Sequence, residues 1–256
     1  GRPDELGSEI MKKQFLKTLL LVVIGASGAA QADVLGWRVG ANLWQQQFEG
    51  DVASGGASID LEDDLNYDDE SGASYYAQFE HPIPLLPNIM VQYTDLEADA
   101  TGFVDGIEFD GVVYEGDVSS SMDLTHTDFT LYYEILDNWV NLDVGVTGRW
   151  FDDGIEILDQ TSQQSGSIDI DHVVPMFYGH ARFDLPFSGL SLGIEGNYIS
   201  YNDDTLYDTK LNLGYTFAFG LGIEAGYRYM DFEYDDDDEV ADVTIDGVYG
   251  GLYWDF

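Results

Sequence analysis

From residue 33 onward, hydrophobic and polar positions alternate with a period of two, in stretches of roughly 10–14 residues, the length of a tilted membrane strand. Over 140–150, Val140, Leu142, Val144, Val146 and Trp150 share one face, while Asn141, Asp143, Thr147 and Arg149 share the other. Over 209–217, Leu211, Leu213, Tyr215 and Phe217 oppose Lys210, Asn212 and Thr216, and over 221–229 the apolar set opposes Glu224 and Arg228. The same pattern runs through 35–46, 73–83, 89–97, 124–136, 173–185, 190–200 and 243–256. No segment after residue 32 is apolar for the 18 or so residues a spanning helix needs. Short connections at 81–88, 136–138, 186–189 and 218–220 alternate strictly with mostly long polar ones at about 48–71, 98–122, 153–167, 201–205 and 233–242. That rhythm predicts an all-β fold: a closed antiparallel transmembrane β-barrel of about ten strands (range 8–12), with short periplasmic turns and long acidic extracellular loops. An even count puts both ends of the barrel on the periplasmic side. The stretch 103–118 has room for one further hairpin, and no domain boundary interrupts 33–256.

A soluble β-sandwich or lipocalin-like barrel would alternate too. Two features favour the membrane. The strands end in aromatics (Trp37, Trp139, Trp150, Tyr198, Tyr227, Tyr229 and Trp254), as interfacial girdles do. The last strand puts Val248, Gly250, Leu252, Trp254 and Phe256 on one face, so Trp254 and the terminal Phe256 resemble the signal read by the barrel-insertion machinery. The N-terminus fits export. Residues 1–10 read as a tag or an over-long start. Residues 11–32 read as a cleaved signal peptide, with Lys12, Lys13 and Lys17 before an apolar run and Ala30-Gln31-Ala32 before Asp33.

Composition narrows the function. Nine Lys+Arg stand against 49 Asp+Glu for a formal charge of −40, cysteine is absent, and 45% of residues are hydrophobic. Nucleic acid is excluded as a partner, because phosphate recognition needs a basic face. Disulfide and thiolate chemistry are excluded as well. Of the 46 carboxylates after residue 32, 36 fall in windows 49–70, 95–123, 152–171, 203–208 and 231–246, which contain no Lys or Arg. These windows are the expected outer loops and strand ends.

The other charges fall on polar strand faces. A Lys or Arg facing lipid near the midplane costs about 2–4 kcal/mol, so all five cations after residue 32 are expected inside. The expected lumen set is Arg38, Glu80, Asp128, Glu134, Asp143, Arg149, His180, Arg182, Asp184, Glu195, Lys210, Glu224 and Arg228. One reading is an ion-pair network that plugs the lumen; the other is a narrow passive channel for small solutes lined by the same groups. In the loops, Asp60, Glu62, Asp63 and Asp64 with Asp68, Asp69 and Glu70, and Asp235, Asp236, Asp237, Asp238 and Glu239, are candidate Ca²⁺ or Mg²⁺ ligands, although neither run has an EF-hand frame. The bland alternative is a solvated charge run whose counter-ions bridge loosely to lipopolysaccharide. No other cofactor is called for.

Enzymatic readings have few anchors. Asp169, Asp171 and His172 near an outer strand end would suit an omptin-like surface protease, without the omptin motif frame. His126, Thr127 and Asp128 form the one candidate acyl-chain hydrolase cluster, but Thr127 should face lipid if Asp128 faces the lumen. His81 is expected in a Pro-rich turn and His126 and His172 at rim positions. Gly36-Trp37-Arg38-Val39-Gly40-Ala41, the turn 80–88, the segment 131–139 and the Gly250-Gly251 pair near Phe256 resemble the OmpW-like "GlyGly" family of outer-membrane proteins across the whole chain from residue 33. That resemblance implies an outer-membrane barrel without an established activity. The wider OmpW type implies eight strands and a narrow apolar channel, against the ten strands counted here. The expected role is structural or surface interaction, without enzymatic activity.

Overall fold

The computed structural model describes residues 35–55, 58–83, 85–109, 111–151, 154–159, 165–169, 173–202, 204–236 and 239–256. The segments read as tag and signal peptide lie outside them. Ten strands form the barrel wall: β1 (Gly36–Ser54), β3 (Glu70–Glu80), β4 (Asn88–Thr94), β7 (His126–Leu136), β8 (Val140–Phe151), β11 (Val173–Asp184), β12 (Leu190–Tyr201), β13 (Asp204–Thr216), β14 (Leu221–Asp236) and β15 (Glu239–Asp255). All neighbours are antiparallel. β15 returns to β1 in a register from Arg38↔Asp255 to Ser54↔Glu239, so the sheet closes on itself. Trp37 and Phe256 exchange both backbone hydrogen bonds at 2.9 Å across this seam. A closed sheet leaves no unpaired edge, which is what allows strands to cross a bilayer.

The wall is inverted relative to a soluble domain. Leu43, Phe129, Val146, Phe177, Leu213 and Val248 are each more than half exposed, so the apolar face looks outward. Aromatic belts flank that band. At the outer side Tyr198, Tyr207 and Tyr229 follow one another around the wall, with ring centroids 6.5 and 6.1 Å apart. At the periplasmic side stand the pairs Trp37–Phe79, Trp139–Phe183 and Trp254–Phe256, at 4.5, 5.3 and 5.5 Å. The lumen face is polar. Tyr76 and Tyr253 lie flat across their neighbours Gly40 and Gly222, where an added Cβ would come within 2.4 and 2.1 Å of the ring.

The expected loops are more ordered than alternation and charge suggest. β13, β14 and β15 extend beyond the outer aromatic belt. The expected loop 98–122 is itself a hairpin of β5 (Glu97–Phe109) and β6 (Val112–Asp123), which joins β9 (Gly154–Asp159) and β10 (Ser165–Asp169) in a second sheet of order β10-β9-β6-β5. The extra hairpin therefore exists, but outside the barrel wall. Its acids occupy alternate positions: on β6, Val113, Glu115 and Asp117 face out while Tyr114, Val118 and Met122 are buried. Their apolar partners come from Phe48 and Val52 of β1, from Ile59 of the two-residue β2 (Ile59–Asp60), from Leu61, Leu65 and Tyr67 of the turn that follows, and from Ile157. Carboxylates cover one side of this cap and a continuous hydrophobic core fills the other.

Candidate functional site: the lumen

Beneath the apolar cap lies a layer of four charges. Arg149 on β8 stands directly across from Asp128 on β7. Its Nε and Nη2 donate to the two Asp128 oxygens, both at 2.8 Å. Asp208 on β13 bridges the two arginines: its Oδ2 accepts from Arg149 Nη2 at 2.5 Å and from Arg228 Nη2 at 2.7 Å, and its Oδ1 accepts from Arg228 Nε at 2.9 Å. Arg228 also donates to Thr94 Oγ1 at 3.2 Å and lies over the Trp44 ring, 4.6 Å from its centroid. None of the four charged side chains is more than 3% exposed. Two guanidiniums and two carboxylates cancel, and each carboxylate oxygen has a charged donor, which is the condition for burying ions at all.

His126 belongs to this layer, correcting the rim position expected for it. Its Nδ1 lies 2.8 Å from the Leu124 carbonyl and its Nε2 lies 3.3 Å from Arg228 Nη2. A carbonyl only accepts and a guanidinium only donates, so Nδ1 carries the hydrogen and Nε2 is the acceptor. Neither nitrogen is available to activate a nucleophile, and Thr127 points to the other face of the strand. The cluster therefore does not assemble the hydrolase set. His126, Asp128 and Asp208 bring ligand atoms within 4.8 Å of one another. All four carboxylate oxygens already accept from guanidinium, so this set does not fit a metal ion.

The next layer toward the periplasm is wetter. Lys210 Nζ donates to Glu195 at 3.0 Å and to Gln92 at 2.6 Å, Tyr178 donates to Glu195 at 3.3 Å, and His180 Nδ1 meets Asp143 Oδ2 at 2.8 Å. A polar cavity of about 50 Å³ sits here among Asn42, Gln78, His180, Lys210 and Glu224. Its size and lining suit a few bound waters. At the periplasmic mouth Arg38 pairs with Asp255 and lies over the Tyr253 ring, and Arg182 meets Asp184 at 3.2 Å. Glu224 accepts from Tyr76 at 3.3 Å, Glu80 from Tyr132 at 3.1 Å and Glu134 from Asn88 at 3.1 Å.

All thirteen expected lumen residues thus lie on inward-facing positions of wall strands, though the pairing is uneven. Two partners escaped sequence reasoning. Alternation starts that strand at 209 and so leaves Asp208 among the outer acidic windows; β13 begins at Asp204, and Asp208 shares the face of Lys210 and Asn212. Asp255 sits directly across from Arg38 at the seam, which only closure reveals.

In the loops, Asp60 Oδ1 accepts from the Glu62 and Asp63 amides at 2.9 and 2.8 Å, and Asp64 Oδ2 accepts from the Asp60 amide at 3.0 Å. These two candidate ligands cap their own turn. Glu62, Asp63, Asp68 and Glu70 are exposed, as is Asp69, which accepts from Gln47 at 3.4 Å. Asp171, His172, Asp237 and Asp238 lie outside the described residues, as do the side chains of Asp169, Asp235, Asp236 and Glu239. Beyond the outer belt, burial and the neighbouring Asp231 and Asp51 push the Asp242 carboxyl above its usual range, and burial in the cap pushes the Tyr67 phenol up to about 12.

No protein-family model matches the chain, and no curated protein matches it in sequence. Among solved structures it is similar to the outer membrane protease OmpT from Escherichia coli, with a TM-score of 0.53, 10% identity, and coverage of 90% of this chain and 99% of that one. The translocator domain of the autotransporter NalP from Neisseria meningitidis matches with a TM-score of 0.43 and 13% identity over 97% of each chain. At such identities the likeness to OmpT is one of fold, and it agrees with the lipid-facing band and aromatic belts: the chain is an outer-membrane β-barrel.

Proposed function

We propose that this protein is a non-enzymatic outer-membrane barrel of a Gram-negative bacterium, with a plugged lumen and a structural or surface-interaction role. The observation that carries the reading is the buried Arg149–Asp128–Asp208–Arg228 layer under a continuous apolar cap. A hydrated solute would have to strip these ions from one another and then part the cap, and breaking a buried pair costs about 3–5 kcal/mol. Surface contact then falls to the acidic outer sheet, with lipopolysaccharide bridged through counter-ions as its natural neighbour. Barrel-insertion machinery, reading Trp254 and Phe256, is the partner during biogenesis. Kinship with the OmpW-like "GlyGly" family rests on the segments quoted above and fits a barrel without an assigned reaction. Single-channel recording in planar bilayers tests the reading: a silent membrane is expected, and discrete unitary openings from the folded barrel would establish the passive-channel alternative instead. The protease alternative rests on fold likeness and on Asp169, Asp171 and His172. Incubating the folded barrel with basic peptides is expected to leave them intact.

A further inference from the structure

The apolar outer face of the wall does not stop at the periplasmic aromatic belt. Four turns close that end, at 81–87 between β3 and β4, 137–139 between β7 and β8, 185–189 between β11 and β12, and 217–220 between β13 and β14. They contain no Lys or Arg and a single carboxylate, Asp137, whereas the outer connections are densely acidic. Their tips are apolar and turned away from the protein. Leu85 and Phe187 are the two most exposed large apolar side chains among the described residues, and Ile83, Leu86 and Phe219 are each more than half exposed. Four non-glycine residues among those described have a left-handed backbone. Two are asparagines of the outer end, Asn66 and Asn202, a residue type that tolerates this region. The other two are Leu85 (φ 75°) and Phe187 (φ 64°), where glycine or asparagine would turn the chain with less strain. What Leu and Phe add at those positions is an apolar side chain.

We propose that this periplasmic rim is a lipid-binding surface: the turns sit in the inner leaflet of the outer membrane among zwitterionic phospholipids, with Leu85 and Phe187 reaching the acyl chains. Two observations favour lipid over a periplasmic protein. The rim is continuous with the lipid-facing wall. Tyr133, an outward residue of β7, donates to the Leu85 carbonyl at 3.0 Å, so the 81–87 turn leans over the lipid side of the wall. At the periplasmic end of β13, Phe217 and Phe219 stack with centroids 5.8 Å apart. The turns also satisfy backbone groups from within, as backbone that enters a bilayer must. The Ile83 amide donates to His81 Nδ1 at 3.3 Å, and His81 Nε2 lies 3.1 Å from the Pro87 carbonyl. The Ser188 amide and hydroxyl both donate to the Leu185 carbonyl, at 3.2 and 2.8 Å, and the Gly220 amide to the Phe217 carbonyl at 2.9 Å. Anionic lipid is recruited by clustered Lys and Arg, and this rim has neither.

The chain has no cysteine, so Leu85→Cys, Phe187→Cys, Phe219→Cys and, in the outer loop, Asp68→Cys can each carry one fluorophore. The full-length barrel is placed as a single copy in phosphatidylcholine nanodiscs, which leave both faces open to water, after heat-shifted gel mobility confirms folding. The three rim labels should be quenched several-fold more than the Asp68 label by doxyl-labelled phosphatidylcholine, and several-fold less by aqueous acrylamide. Acrylamide quenching of the rim as strong as that at Asp68 would overturn the proposal and leave the rim to a periplasmic protein. Protection seen only with two copies per disc would overturn it in favour of self-association. A second measurement needs no label. Asparagine accepts the left-handed backbone, and both side chains are exposed, so Leu85→Asn and Phe187→Asn relieve strain without removing packing within the protein. Each should nonetheless lower the equilibrium constant for folding from urea into phosphatidylcholine vesicles by roughly tenfold, the loss expected when a large apolar side chain leaves lipid. Unchanged or greater stability in both variants would place the tips in water and sink the proposal. Neither measurement depends on whether the barrel conducts.

Discussion

At the scale of single residues, Asp208 is the most consequential side chain that the alternation pattern misplaces. It is the one carboxylate shared by both buried arginines, so Asp208→Asn leaves two guanidiniums competing for Asp128. The expected cost is about 3–5 kcal/mol, measurable as a lower urea midpoint for unfolding from detergent, whereas neutralising the exposed Asp68 should change stability by less than about 0.5 kcal/mol. Asp242 illustrates the opposite sign. Its folded-state carboxyl titrates above the usual range because burial strips it of water and Asp231 and Asp51 crowd it. A raised carboxyl in the folded state means a cost of carrying the charge that is present at neutral pH and relieved as pH falls through the raised value. Asp242→Asn should therefore make the outer cap more resistant to proteolysis at neutral pH, with the gain fading on acidification. An equal gain at acidic pH would contradict that origin.

At the scale of elements, the barrel strands were legible because their two environments are opposite and the pleat has period two. Residues 140–150 show it: Val144 and Val146 meet lipid while Asp143 and Arg149 meet the lumen. The outer sheet was not legible. Its acids, read as solvated loop, alternate with Tyr114, Val118 and Met122, and their dense charge hides a strand whose apolar face packs downward. The turn after β2 was hidden likewise, since a run of aspartates gives no sign that Asp60 and Asp64 cap it while Leu61 and Leu65 reach into the cap. Two substitutions separate these contributions. Val118→Asp should bury an unpaired charge in the cap and open the outer end to protease, leaving the membrane-embedded wall folded. Asp60→Ala removes the two turn-capping acceptor bonds and should cost about 1 kcal/mol, seen as a modest rise in the rate of cleavage near residue 60. Extensive loss of the wall in either variant would mean that cap and wall fold as one unit.

At the scale of the whole molecule, closure unites wall and lumen. The seam from Arg38↔Asp255 to Ser54↔Glu239 predicts that the barrel resists detergent in the cold and shifts its gel mobility on heating; mobility that never changes would contradict a closed sheet. The formal charge of −40 resolves into an anionic outer skin over an apolar core, and a lumen that holds every Lys and Arg after residue 32. The chain by itself determined the class of fold, a count of about ten strands within two, the outward apolar face and the inward placement of the cations, because each follows from local periodicity and from the cost of ions in lipid. Only the tertiary structure decided which carboxylate serves which arginine, that His126 is buried, that Asp255 meets Arg38, and that the acidic loops form a core. Those facts depend on the register and shear of distant strands, which fix neighbours across the lumen and leave no trace in the spacing along any one strand.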